Sequence, residues 1–214
     1  MNKYISECIG TFALLFAGTG AIIINAETGG TIGHAGIATT FGLIVMAMIY
    51  TFGGISGAHF NPAVTIAFTA AKRLPLKELA PYIIAQLSGA FMASGLLRIL
   101  FPNNVTMGAT IPAGSNMQSF VMEVVLTFIL MLVILNVSTG EKEKGITAGL
   151  AIGATVWLEA MFAGPISGAS MNPARSIAPA VVSMNVFVLW IYIVAPITGA
   201  LLSIIAHKSV FKQA

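Results

Sequence analysis

Ile55-Ser56-Gly57-Ala58-His59-Phe60-Asn61-Pro62-Ala63 and Ile166-Ser167-Gly168-Ala169-Ser170-Met171-Asn172-Pro173-Ala174 are one element written twice. Each runs Ile-Ser-Gly-Ala, two variable residues, then Asn-Pro-Ala, and the copies lie 111 positions apart in a chain of 214. An element repeated once per half is the mark of an internal duplication. Gly57 and Gly168 admit backbone angles that other residues resist, so the approach to each Asn can leave regular structure. Asn is a strong helix N-cap, and Pro is favoured at the first helical position, where its missing N–H is not needed. Each Asn-Pro-Ala therefore predicts a helix start entered from an extended approach. The apolar runs that follow, 64–71 and 175–182, are short. About ten helical residues rise roughly 15 Å, half of a hydrocarbon core of roughly 30 Å. Two half-helices entering from opposite faces would meet near the midplane with their N-termini facing. Irregular backbone at that depth is tolerated where it is buried in protein or lines a water-filled cavity, and broken segments at matching places in two halves point to a transport site.

Hydrophobic residues make up 57% of the chain and charged residues 8%, which excludes an ordinary soluble protein. There is no Asp, and the net charge of +3 forms no basic stripe, so no nucleic-acid partner is expected. Cys8 is the single cysteine, which leaves no disulfide framework and no cysteine-based metal site. Ser6 and Glu7 interrupt the start of the first apolar run, which reads as a retained span rather than a removed signal peptide.

Apolar stretches of spanning length run over about 4–25, 36–52, 79–100, 117–137, 145–162 and 186–207. The predicted fold is an all-α membrane protein, with six transmembrane helices and two re-entrant half-helices. It forms one channel domain over 1–214, with repeats at about 1–105 and 115–214. Three spans per half is an odd number, so the halves are inverted relative to each other. Lys3, Lys72, Arg73, Lys77, Lys142, Lys144, Lys208 and Lys212 all fall on one face in this topology. The other face holds Glu27, His34 and Arg98. Positive residues mark the cytoplasmic side, which puts both termini inside. The linkers are short, and Glu141 to Lys144 reads as a solvated turn.

Glu7-x-x-x-Thr11-Phe12 opens the first span, and Glu123-x-x-x-Thr127-Phe128 opens the fourth. A carboxylate within a span costs about 2.5–3.5 kcal/mol on insertion scales unless it meets a partner. The freed backbone N–H groups of the re-entrant loop in the same half are natural partners, so Glu7 and Glu123 are expected to brace the loops. A proton relay is the alternative, but neither Glu is followed by a chain of acids or histidines. Glu159 is a third buried acid, placed either to brace the second loop or near the outer mouth.

The paired Asn-Pro-Ala loops, the paired Glu-x-x-x-Thr-Phe, and Asn172-Pro173-Ala174-Arg175-Ser176 together resemble the aquaporins, the major intrinsic protein family. The stretch from Gly164 to Met171 looks most like the nodulin-26-like branch and its bacterial relatives. The resemblance covers essentially the whole chain. It implies a homotetramer with one pore per subunit, no cofactor and no metal, in a bacterial plasma membrane.

In such a pore Asn61 and Asn172 cap their helices with the amide oxygen and turn the NH₂ into the lumen. The helix N-termini carry partial positive charge, which opposes cations and proton conduction. The carbonyls of Gly57, Ala58, His59, Gly168, Ala169 and Ser170 offer a ladder of acceptors. Counted from the two Asn residues, the family's narrowest ring falls on Phe41, Ala160, Ala169 and Arg175. Water-selective members typically have His where this chain has Ala160, so the resemblance implies a wider ring. The plant branch often has Trp at the position of Phe41. Glycerol facilitators usually have Asp at the position of Ser176, which weighs against that branch. Arg175 would repel cations and offer its fork of N–H donors to solute hydroxyls. The expected cargo is water and small neutral solutes such as glycerol, urea, and boric or arsenous acid, with a water-selective aquaporin as the alternative.

His59 is expected to be a hydrogen-bonded wall residue, and Trp157, Trp190 and Tyr192 to be lipid-facing or interfacial rings. Three rival readings face the same residues. A secondary transporter shares broken helices but needs coupling-ion ligands near the midplane. A membrane enzyme needs a nucleophile–base pair, a metal cluster or a phosphate loop, and none is found. A junction protein that has lost conduction is at odds with two intact Asn-Pro-Ala motifs.

Overall fold

The computed structural model describes residues 1–138 and 147–211. Glu141 to Lys144 and Lys212 therefore lie outside the described residues. Eight helices follow in order among those described: α1 (Asn2–Glu27), α2 (Gly33–Ser56), α3 (Pro62–Ala70), α4 (Leu76–Leu100), α5 (Asn116–Val137), α6 (Ala148–Ser167), α7 (Pro173–Val182) and α8 (Leu189–Val210). All except α3 and α7 are long and apolar enough to cross a membrane. The short pair, of 9 and 10 residues, are the helices that the two Asn-Pro-Ala motifs start.

The packing repeats between the halves. Helix α1 lies on α4 and α5 on α8, α1 touches α2 and α5 touches α6, while α3 packs on α8 and α7 on α4. Glycines make the close crossings possible, as small residues do between membrane helices. A side chain at Gly89 of α4 would collide with the Cys8 carbonyl of α1, and one at Gly199 of α8 with the Val124 carbonyl of α5. Between α2 and α6, Gly42 faces the Gly153 carbonyl and Gly153 faces the Gly42 carbonyl.

Two boundaries differ from the sequence reading. Helix α2 continues to Ser56 and α6 to Ser167, so both enter the repeated motif and stop at its glycine. Gly57 and Gly168 end them at φ 84° and 86°, and each N–H bonds the carbonyl four residues back. Pro165 lies inside α6 and cannot donate to the Met161 carbonyl. His34 Nε2 donates to that oxygen at 2.6 Å instead. The histidine thus fills the bond that the proline leaves unmade.

The approach to each Asn is not uniformly extended either. Asn61 and Asn172 are extended (φ −154° and −149°), but Ala58, Phe60, Ala169 and Met171 have φ between 41° and 54°. Non-glycine residues in the left-handed region are strained and persist only where their surroundings hold them.

Candidate functional site

The strained segments are held by carboxylates. Glu7 is fully buried in α1, and its Oε1 accepts from Ser56 Oγ at 2.7 Å and His59 N–H at 2.9 Å. Its Oε2 accepts from Phe60 N–H at 2.7 Å and Gln86 Nε2 at 2.8 Å. Glu123, buried in α5, accepts from Ser167 Oγ, Ser170 N–H and Met171 N–H, each at 2.8 Å. The backbone donors are therefore the two residues before each Asn. Tyr82 Oη donates to the Ser56 carbonyl at 2.9 Å, and Tyr192 Oη to the Ser167 carbonyl at 2.7 Å. Tyr192 is completely buried, so it braces the second loop and does not face lipid. Trp157 and Trp190 are about half exposed, in keeping with lipid-facing rings. Glu159 is buried, and its carboxylate has no hydrogen-bond partner among the described residues, so it does not brace the loop.

Each Asn caps its own helix and reaches across to the other loop. Asn61 Oδ1 accepts from Ala63 N–H at 2.9 Å, while its Nδ2 donates to the Met171 carbonyl at 2.7 Å. Asn172 Oδ1 accepts from Ala174 N–H at 3.0 Å, and its Nδ2 donates to the Phe60 carbonyl at 2.9 Å. One amide hydrogen of each Asn is thus spent on a crossed pair that ties the half-helices together. An amide carries two such hydrogens, so one per Asn is left for a passing molecule. Pro62 and Pro173 take the first helical positions, and Ala63 and Ala174 are fully buried behind them.

A cavity of about 590 Å³ runs past both Asn residues. Gly57, Ala58, His59, Ala169 and Ser170 line it, but Gly168 does not. Among the described residues, no hydrogen bond is accepted by the carbonyls of residues 57–59 or 168–170. His59 keeps to the wall, with Nδ1 at 3.1 Å from Thr65 Oγ1 and its ring stacked on Phe68. No cluster of three or more His, Cys, Asp or Glu suited to a metal occurs among the described residues.

Phe41, Ala160, Ala169 and Arg175 all line the same cavity. Arg175 is 3% exposed, so it does not reach to the outer surface. Its guanidinium lies 4.9 Å from the centre of the Phe41 ring, and Nη1 donates to the Gly108 carbonyl at 2.8 Å. Phe41 itself leans on Gly18 of α1, where any side chain would overlap the ring. Gly18→Ala should push Phe41 towards Arg175 and narrow the cavity. The expected result is a larger fall in glycerol permeability than in water permeability, measured in proteoliposomes; equal falls would contradict this packing.

Several contributors escaped the sequence reading. Gln86, a polar residue inside a span, bridges Glu7 and Thr65 Oγ1. Its polarity in an apolar run was the available signal. Tyr82 and Tyr192 repeat at the same 110-residue offset as Gly89 and Gly199, a regularity that would have placed Tyr192 inside. Gly108 and Thr110 lie in the connection between the halves, where no motif marks them.

The model of the family "Major intrinsic protein" matches residues 1–207. Aquaporin NIP1-1 of Zea mays is 50% identical over 201 residues, covering 94% of this chain and 71% of its own. Nodulin-26 of Glycine max is 46% identical over 202 residues, covering 94% and 74%. Among solved structures, the aquaglyceroporin from Plasmodium falciparum superposes with a TM-score of 0.85 at 27% identity, covering 99% of this chain and 96% of that one.

Proposed function

Since this chain belongs to the major intrinsic protein family, and resembles its nodulin-26-like members at about half identity, we propose that it is a passive channel wider than a water-only pore. It passes water and small uncharged hydroxylated solutes, with glycerol, urea and boric or arsenous acid as candidates, and it excludes ions and protons. The whole chain forms one channel domain, with inverted repeats at about 1–105 and 115–214.

The observation that carries the reading is the composition of the cavity wall. Small Ala160 and Ala169 share it with Arg175 and Phe41, and unpaired carbonyls share it with two Asn amides. Donors, acceptors and an apolar side suit a neutral polyol, which can exchange its water shell for the wall. An entering cation meets the Arg175 charge and the positive ends of α3 and α7, and is opposed. Phe41, Ala160, Ala169 and Arg175 act as the selecting ring, the carbonyl ladder guides the solute, and Glu7 and Glu123 hold the ladder in shape.

The test is Ala160→His in proteoliposomes. A His there replaces a methyl group with a bulky polar ring, where even one methylene more or less in an apolar pocket is worth about 10–200-fold in discrimination. Glycerol flux should fall by about tenfold, with water flux changed far less. Equal loss of both would contradict the ring assignment.

The proposal extends to assembly and location: a homotetramer in a bacterial plasma membrane, with both termini cytoplasmic. Lys3 pairs with Glu78 at 2.8 Å, and Arg73 donates to the Leu135 carbonyl and Ser138 Oγ. The basic residues around α1, α3 and α4 therefore gather on one face with the N-terminus, which supports the orientation. The bacterial setting is carried by the sequence resemblance alone, the relatives named above being plant proteins.

A further inference from the structure

Each re-entrant helix has a polar chain running behind it, and the two chains are built differently. In the first half, His59 Nδ1 lies 3.1 Å from Thr65 Oγ1, which also accepts from Gln86 Nε2 at 2.9 Å. The matching positions 111 residues on are Ser170 and Ser176, whose hydroxyls lie 2.6 Å apart. The third member cannot match. The 110-residue offset that relates Tyr82 to Tyr192 and Gly89 to Gly199 puts Pro196 of α8 at the place of Gln86, and proline has no side-chain donor.

The connection between the halves supplies the missing member. Thr110 Oγ1 donates to Ser176 Oγ at 2.8 Å, and Thr110 is 4% exposed. Its methyl group occupies the space over Gly168, where an added Cβ would come within 3.0 Å. The chain continues through Ser170 Oγ, which donates to the Asn172 carbonyl at 3.0 Å. Two residues before Thr110, the Gly108 carbonyl holds Arg175 Nη1, and three residues after it Ala113 N–H bonds the Ile166 carbonyl at 2.9 Å. The segment is further anchored at its start, where Arg98 holds the Pro102 and Asn104 carbonyls, and Asn104 Oδ1 holds Met107 N–H.

We propose that Thr110 is a positioning residue for solute selection: its hydroxyl, through Ser176 and Ser170, fixes the outer connection against the second re-entrant loop and so sets the place of Gly108 and the Arg175 fork. The inference rests on the neutral-solute channel reading above. A solute that offers several hydroxyls must find the fork and the carbonyl ladder in fixed register, and misplacement by about 1 Å can lower a rate by about 100-fold. A water molecule makes fewer simultaneous contacts and depends less on that register.

The experiment measures glycerol and water permeability in proteoliposomes for the native chain, Thr110→Val, Thr110→Ser, Ser176→Ala and Thr110→Val/Ser176→Ala, each normalised to assembled protein. Thr110→Val keeps the shape and removes the hydroxyl; it should lower the glycerol-to-water ratio by about tenfold. Thr110→Ser should restore the ratio, Ser176→Ala should match Thr110→Val, and the double variant should lose no more than either single one, as members of one chain do. An unchanged ratio in Thr110→Val, an equal loss of both permeabilities, or a Thr110→Ser as impaired as Thr110→Val would each overturn the proposal. If Thr110→Val does not assemble, Ser176→Ala carries the same comparison. A native chain that passes water but no glycerol would contradict the channel reading instead, and is told apart by that control.

Discussion

Glu123→Leu should leave little assembled protein and no measurable solute flux. The leucine fills a similar volume but accepts nothing, and it orphans Ser167 Oγ, Ser170 N–H and Met171 N–H together. Each buried unpaired donor costs about 1–3 kcal/mol, against a total stability of about 5–15 kcal/mol for a typical folded protein. The loss is larger than that sum implies, because Ala169 and Met171 sit in the left-handed region, and the carboxylate gathers the N–H groups that keep the segment in that shape. Glu123→Gln keeps one oxygen but presents its NH₂ to donors, so it should fall between Leu and the native residue. Glu159→Leu is the contrast: its carboxylate has no described partner, so the thermal midpoint should not fall. Size-exclusion profile and thermal midpoint in detergent check all three. A Glu123→Leu variant as stable as the native chain would show that the loop keeps its shape without the carboxylate.

Gly199→Ala and Gly89→Ala should each lower the thermal midpoint sharply, and by similar amounts. In both cases the added methyl would meet backbone rather than a side chain that can turn aside: the Val124 carbonyl for Gly199 and the Cys8 carbonyl for Gly89. The helices must then separate. Overpacking costs about 1–3 kcal/mol even where side chains can adjust, and here the adjustment has to be made by α5 or α1. Those are the helices that carry Glu123 and Glu7, so the displacement also pulls the carboxylates from the loops they brace. Gly95→Ala makes a suitable control, since a Cβ there meets nothing within 4 Å. A midpoint for Gly199→Ala equal to that of Gly95→Ala would contradict the crossing described here.

The duplicated motif made most of the architecture readable. Its offset, together with six apolar runs and the paired Glu-x-x-x-Thr-Phe, was enough to expect six spans, two half-helices and acids turned towards the loops. What escaped was whatever one segment imposes on another. Ala58, Phe60, Ala169 and Met171 have no local preference for positive φ; they adopt it because Glu7 and Glu123 gather the neighbouring N–H groups. The crossed bonds of Asn61 and Asn172 join residues more than 100 positions apart, so a reading of each motif alone leaves both amide hydrogens free. The span read as ending at 162 runs on through Pro165 to Ser167, and the carbonyl that the proline leaves unpaired takes its donor from His34 of another helix. Thr110 sits in a connection that looks like plain linker, and only its approach to Ser176 gives it meaning.

The claim at the centre is that a neutral solute threads between two facing half-helices held by acids buried behind them. Glycerol entry into proteoliposomes, followed by light scattering after rapid mixing into a glycerol gradient, tests it most directly. Vesicles that hold the native chain should shrink and then re-swell well ahead of empty vesicles of the same lipid. Re-swelling no faster than in the empty vesicles would contradict the account.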